Sequence, residues 1–383
     1  MNVRLTHVIS AVIAVSCLAS FQARSATTYR VTSLGTLGGG ETAAYALNNF
    51  GMVAGKSVNT EGITHAFVWS AGQGMLDLGD LSGGTGYSEA HGINDLGQVV
   101  GLTTIEGDYV HAFIWDQANG MRDLGTLPGY GNYTNARAIN NSGQVVGATS
   151  SVGAYPPFLY DQEHGMQDVR TLVGSNNFIG AMDINSQGGV LGSAYLPQGG
   201  AQAVVWQNNQ VIGVGDLPGG NNLSAGFRMN DVGDVVGWSS TYISGMRFQA
   251  DHAFLWRDGA ILDLGDLPGG SDSSVAYGVN NRRQVVGKGN LGLPYGGDMD
   301  RAFIWSEADG MIMLDSLVDP GDVYHGVGFG NARDINDLGQ IIAAGIGGEY
   351  SAVLLTPVPE PEAYLMMLLG LGLVAFQARS RLV

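Results

Sequence analysis

The chain has 383 residues, 61 of them glycine, with 13% charged residues and a formal charge of −17. So acidic a chain repels phosphate backbones and anionic membrane surfaces, which excludes nucleic acid as a partner. Abundant glycine with few charges favours short strands joined by tight turns over a helical or disordered protein.

Residues 1–25 read as a secretory signal peptide: Arg4, an apolar run from Val8 to Ala19, then Ala23-Arg24-Ser25 as a small-x-small site for signal peptidase. That run is shorter than the roughly 20 residues that span a bilayer. The rival reading is a lipoprotein site at Ala14-Val15-Ser16-Cys17, for which Ala14 is a poor fit. Cys17 is the only cysteine, so the mature chain would hold no disulfide and no thiolate metal site. The two ends carry four of the 17 basic and two of the 34 acidic residues, so residues 26–356 hold 13 basic against 32 acidic groups.

Four short patterns then recur in fixed order: a small-residue strand ending in Ile/Leu-Asn, then Gln-Val-Val-Gly, His-Ala-Phe-x-Trp and Met-x-Asp-Leu-Gly-x-Leu. The asparagines are Asn48, Asn94, Asn140, Asn185, Asn230, Asn280 and Asn336, spaced 46, 46, 45, 45, 50 and 56 residues apart. The third pattern's aromatic recurs as Trp69, Trp115, Tyr160, Trp206, Trp256 and Trp305, with Leu355 as a decayed last copy. Each pattern has the length and apolar content of a strand bounded by turn residues, and no stretch keeps a helical period for long. Asn-Asp-x-Gly, as at 94–97, makes the first-to-second connection a tight hairpin. Arg283 stands where the turn glycine belongs, which predicts a strained or differently shaped hairpin.

Four antiparallel strands, repeated seven times, predict an all-β fold: a seven-bladed β-propeller of four-stranded antiparallel blades over residues 26–356. Four residues before each Asn lies a small residue (Ala44, Ala90, Ala136, Ala181, Gly226, Ala276, Ala332), which suits a crowded innermost strand. The last unit has three strand patterns, at 332–336, 340–345 and 351–356, while Tyr29–Leu37 is a fourth pattern with nothing before it. The ring is expected to close by pairing the N-terminal strand with the C-terminal blade.

The runs His65-Ala66-Phe67-Val68-Trp69, His111–Trp115 and His252–Trp256, with the Asp-Leu-Gly and Asn-Asp-x-Gly elements, resemble the HAF-family extracellular repeat. That resemblance covers most of residues 26–356 and implies a bacterial extracellular location without an established activity. Residues 357–383 resemble a PEP-CTERM sorting tail: the motif Pro359-Glu360-Pro361, an apolar stretch from Ala363 to Phe376, then Arg379 and Arg381. This implies an exosortase as processing partner, transient membrane anchoring, and export to the surface of a Gram-negative bacterium that makes exopolysaccharide. The apolar stretch, as a helix, reaches about 21 Å against a hydrocarbon core of about 30 Å. The alternative for this tail is an ordinary C-terminal anchor.

No motif of known catalytic chemistry is present, and no cofactor or metal is expected. His65, His111 and His252 occupy one equivalent position in different units and read, with His91, as half-buried strand residues. Length variation falls in the second-to-third loops and the linkers between units (238–251, 288–300, 318–331), which marks one face for recognition. That face gathers Tyr109, Tyr155, Tyr195, Trp238, Tyr242, Tyr295, Tyr324 and Tyr350, an aromatic set suited to sugar rings or a protein surface, with packing between blades as the alternative role. The expected function is non-enzymatic binding of exopolysaccharide or another surface component. The alternatives are a protein-binding scaffold and a polysaccharide hydrolase or lyase drawing on Asp298, Asp300, Asp319, Asp322 and Glu349.

Overall fold

Every recurring asparagine directly follows the first strand of a four-strand set: Gly38–Leu47, Ser88–Ile93, Tyr133–Ile139, Phe178–Ile184, Ser224–Met229, Ser274–Val279 and Phe329–Ile335. The computed structural model describes residues 27–107, 109–150, 156–197, 199–242, 249–269, 272–292, 298–345 and 352–358. The signal peptide over residues 1–25 and the sorting motif Pro359-Glu360-Pro361 lie outside them. All the strands belong to one unit, Tyr29–Pro357.

In the first sheet Gly38–Leu47 pairs with Val53–Asn59, that strand with Thr64–Ser70, and that with Gly74–Asp77, all antiparallel. The later sets repeat this order, with a single bridge between Tyr133 and Val110 joining the second and third. The last set draws its fourth strand from the other end of the chain. Tyr29–Ser33 pairs antiparallel with Ala352–Pro357, from Tyr29↔Pro357 to Ser33↔Val353. The linker after the sixth sheet clasps the other side of that strand. Val318 bridges Tyr29, Asp319 N–H donates to the Tyr29 carbonyl at 2.8 Å, and Val31 N–H donates to Asp322 Oδ2 at 2.8 Å.

The core lies between sheets rather than within one. Ala66 and Val68 of the first sheet pack against Phe113 and Trp115 of the second, and the same layering recurs between each following pair. A further cluster joins Ile342, Ala352 and Leu354 of the last sheet to Ala44, Val53, Phe67 and Trp69 of the first. Each fully buried phenylalanine, such as Phe67 or Phe113, contributes roughly 1.5–3 kcal/mol. The glycine that ends the second pattern is closely packed, because a Cβ on Gly55 would overlap the Ala43 carbonyl oxygen and crowd the Phe67 ring, although the last set carries Ala343 at this place.

Three local features depart from the sequence pattern. The insertions in the fifth and sixth sheets are partly taken up as longer hairpins, reaching Tyr242↔Gln249 and Gly292↔Asp298. One linker winds into a helical turn, Val169–Val173, whose Arg170 N–H donates to the Asp168 side chain. The hairpin at Arg283 is strained and not reshaped. Arg283 takes φ 61°, in the left-handed region, and its N–H closes the turn on the Asn280 carbonyl at 3.0 Å, as Gly97 closes on Asn94.

Candidate functional site

The turn asparagines link sheet to sheet. Each Oδ1 accepts N–H bonds within its own turn, as Asn48 does from Phe50 and Met52. The Nδ2 groups of Asn48, Asn94, Asn140, Asn230, Asn280 and Asn336 each donate, at 3.0 Å, to the carbonyl of the turn asparagine in the neighbouring set. The last of these bonds runs from Asn336 to Asn48. Asn185 breaks the pattern, because its Nδ2 lies 3.9 Å from Met229 Sδ. The seven turns surround one cavity of about 160 Å3.

The lining of that cavity holds residues the sequence reading passed over. Two positions before the turn asparagine stand Ala46, Gly92, Ala138 and Gly278 in four sets, but Asp183, Arg228 and Asp334 in the others. Arg228 Nη2 lies 3.3 Å from Asp334 Oδ2 and donates to the Tyr45 carbonyl at 3.4 Å, while Nη1 lies 3.7 Å from Asp183 Oδ1. Each aspartate also accepts a backbone N–H from the next set, Asp183 from Met229 at 2.8 Å and Asp334 from Leu47 at 3.0 Å. Burial pushes Asp183 up to about 6 against the pull of Arg228, and raises Asp334 as well.

Three positions before the asparagine every set carries a large side chain: Tyr45, His91, Arg137, Met182, Phe227, Tyr277 and Arg333. In all seven first strands the pairing register skips this residue, a β-bulge that re-aims its side chain. All seven are half-buried, and four neighbouring pairs touch. Tyr45 meets His91 edge-on at 5.9 Å, Phe227 lies 5.6 Å from Tyr277, and the Arg333 guanidinium sits 5.1 Å over Tyr277. Arg137 Nη1 lies 3.3 Å from Met182 Sδ. Beside this collar Glu89 binds Lys56 at 3.5 Å and His91 Nε2 at 3.2 Å. Burial would push Glu89 up, but hydrogen bonds from His91 and Tyr87 and the charges of His91 and Lys56 bring it down to about 2.

The residues singled out from sequence fall in different places. Tyr109 and Tyr195 are exposed at 49% and 59%. Trp238 is half-buried and lines a cavity of about 230 Å3 with Asp251, Lys288 and Asp300. Tyr324 is half-buried against the cluster between the sixth and seventh sheets. Tyr155, Tyr295, Tyr350 and the Tyr242 side chain lie outside the described residues. His65, His111 and His252 each bond across to the next strand, Nδ1 lying 2.8–3.0 Å from Asp77, Asp123 and Asp263. Among the described residues no group of three or more His, Cys, Asp or Glu could hold a metal ion.

The family profile of the PEP-CTERM protein-sorting motif matches residues 357–381. The chain is therefore an exported protein of Gram-negative bacteria, with exosortase processing and a C-terminal membrane anchor implied by that motif. No curated protein matches the chain in sequence. Among solved structures it is similar to an oligogalacturonate lyase from Vibrio parahaemolyticus, at TM-score 0.51 and 11% identity over 88% of this chain and 97% of that one. It is similar also to an oligogalacturonate lyase in complex with manganese (TM-score 0.49, 12% identity, 89% and 96% covered). A gluconolactonase from Xanthomonas campestris follows at TM-score 0.39 and 11% identity, with 88% and 99% covered. At such identities the likeness is one of fold alone: all-β, with four-stranded antiparallel sheets and propeller-like neighbours.

Proposed function

We propose that Tyr29–Pro357 is a closed seven-bladed β-propeller of HAF-like repeats. In this reading it serves at the cell surface as a non-enzymatic binding module for exopolysaccharide, through the face that carries the second-to-third loops. The closed ring is supported by the Asn336–Asn48 bond, the pairing of residues 29–33 with 353–357, and the core cluster shared by the last and first sheets. The binding role rests on one observation above others: a half-buried collar of aromatic and cationic side chains on bulged first strands, with Trp238 and the exposed Tyr109 and Tyr195 on the strands and loops beyond. The non-enzymatic reading is favoured because three of the five candidate carboxylates are engaged by the fold, Glu349 and the Asp298 side chain lying outside the described residues. Asp300 pairs with Lys288 at 2.8 Å, Asp319 accepts from Gly321 N–H, and Asp322 accepts from Val31 N–H.

The test is a glycan array probed with the purified full chain, followed by titration of any polysaccharide retained. Retention of surface polysaccharides without release of shorter products supports the reading, and release of shorter products would replace it with the enzymatic one. A second reading, a protein-binding scaffold, is favoured by exposed apolar residues on the opposite turns: Phe50 at 74%, Leu96 at 69% and Leu338 at 61% exposure. Capture of a protein partner with no glycan retained would select it.

A further inference from the structure

Arg137 is anomalous in a body with 32 acidic groups, because it forms no ion pair among the described residues. The hydrogen bond described for its guanidinium is to the thioether of Met182, and burial lowers its pKa. A half-buried cation with a sulfur for company is costly unless an anion completes it. The other arginine of the collar, Arg333, stacks on Tyr277. The carboxylate nearby, Glu89, is already engaged by Lys56 and His91. The collar thus offers a guanidinium fork with no resident carboxylate bound to it, and aromatic rings on other first strands of the same collar.

We infer that the collar binds a glycan with carboxylated sugar residues, with Arg137 taking a carboxylate and the rings of Tyr45, Phe227 and Tyr277 offering apolar faces to other sugar residues of the same chain. A guanidinium accepts a carboxylate in two parallel hydrogen bonds, and aromatic faces suit the C–H side of a sugar. This deepens the exopolysaccharide reading and rests on it. Neutral glycans lack the anion that Arg137 needs, so a glycan bearing uronic acid residues is the ligand class selected, its close guanidinium pair working against the long-range repulsion of so acidic a chain. Free uronic acid and a uronate chain share the chemistry, and a chain is long enough to meet several collar residues at once.

The experiment is calorimetric titration of the full chain, purified in detergent, with an alginate hexasaccharide, glucuronic acid and cellohexaose. Alginate should bind and cellohexaose should not. Arg137→Met should weaken alginate binding by about 10-fold or more without lowering the melting temperature, since it removes a half-buried charge that has no ion-pair partner among the described residues. Tyr277→Leu should weaken it as well. If alginate binds the natural chain and both variants equally, the collar assignment fails while the exopolysaccharide reading stands. If Arg137→Met instead lowers the melting temperature and Arg137→Gln, folded, keeps full alginate affinity, Arg137 is structural and the inference is overturned. If cellohexaose binds as well as alginate, the ligand is a neutral glycan. If none of the glycans binds, the reading beneath it fails too.

Discussion

The side-chain amide of Asn336 donates to the main-chain carbonyl of Asn48, 288 positions away, at 3.0 Å. The same side chain caps its own turn by accepting from Leu338 and Gln340 N–H. Asn336→Ala should therefore destabilise the fold by roughly 1–3 kcal/mol, because it leaves buried groups without partners. Asn185, which does not reach its neighbour's carbonyl, should cost about 1 kcal/mol less when changed to alanine. Urea denaturation of the two variants checks the order, and equal losses would contradict a role for the inter-sheet bond.

The Asp183–Arg228–Asp334 bridge makes a signed pH prediction. Asp183 has a folded pKa of about 6, above its ordinary value of 3.8, so its protonated form favours the folded state. That contribution is complete below about pH 4 and is lost as pH rises through about 6. Asp183→Asn should flatten the decline in urea midpoint across that window, and parallel curves would refute the assignment. Arg228→Ala removes the shared cation from two buried carboxylates and should cost roughly 3–5 kcal/mol at neutral pH.

Glu89 works with the opposite sign. Its folded pKa of about 2 lies below the ordinary 4.5, so its contribution is present above about pH 4.5 and disappears as pH falls toward 2. Glu89→Gln should make the fold less stable at neutral pH while leaving its stability near pH 2 unchanged. Thermal melts at pH 2.5 and 7 separate this from a uniform loss.

Arg283 carries both strain and a contact. Its left-handed φ of 61° costs about 1–2 kcal/mol relative to glycine, while its Nε lies 2.9 Å from Asp234, which is 2% exposed. Arg283→Ala keeps the strain and loses the contact, whereas Arg283→Gly loses the contact but relieves the strain. The glycine variant should be more stable than the alanine variant by about 1 kcal/mol, measured by urea midpoint. The reverse order would show that the turn has rearranged.

Much of the strand order could be read from the spacing of Asn48 to Asn336, because turn chemistry and apolar runs are local signals. The partnership of residues 29–33 with 353–357 was readable for a different reason: a lone fourth pattern and an incomplete set are complementary. Arg137, Tyr277 and Arg333 escaped notice because a bulge interrupts the two-residue alternation from which side-chain direction is inferred. The Asp183, Arg228 and Asp334 group was visible as charges in a column otherwise holding alanine or glycine. Their meeting depends on strands of separate sets converging, which no local pattern encodes. Tyr324 shows the converse, a tyrosine that looked available from sequence and is packed against the core.

Tyr29–Ser33 is the first strand of the described chain, yet its partner is the last strand, 320 residues downstream at Ser33↔Val353 and 328 at Tyr29↔Pro357. A polypeptide delivered amino end first across a membrane must hold this segment idle until the final stretch has followed. Contacts of such long sequence separation are slow to form. During that interval the buried face of Tyr29 is a sticky, unsatisfied surface, so passage through the periplasm is the stage at which a chaperone or rapid completion of synthesis decides between a sealed molecule and an aggregate.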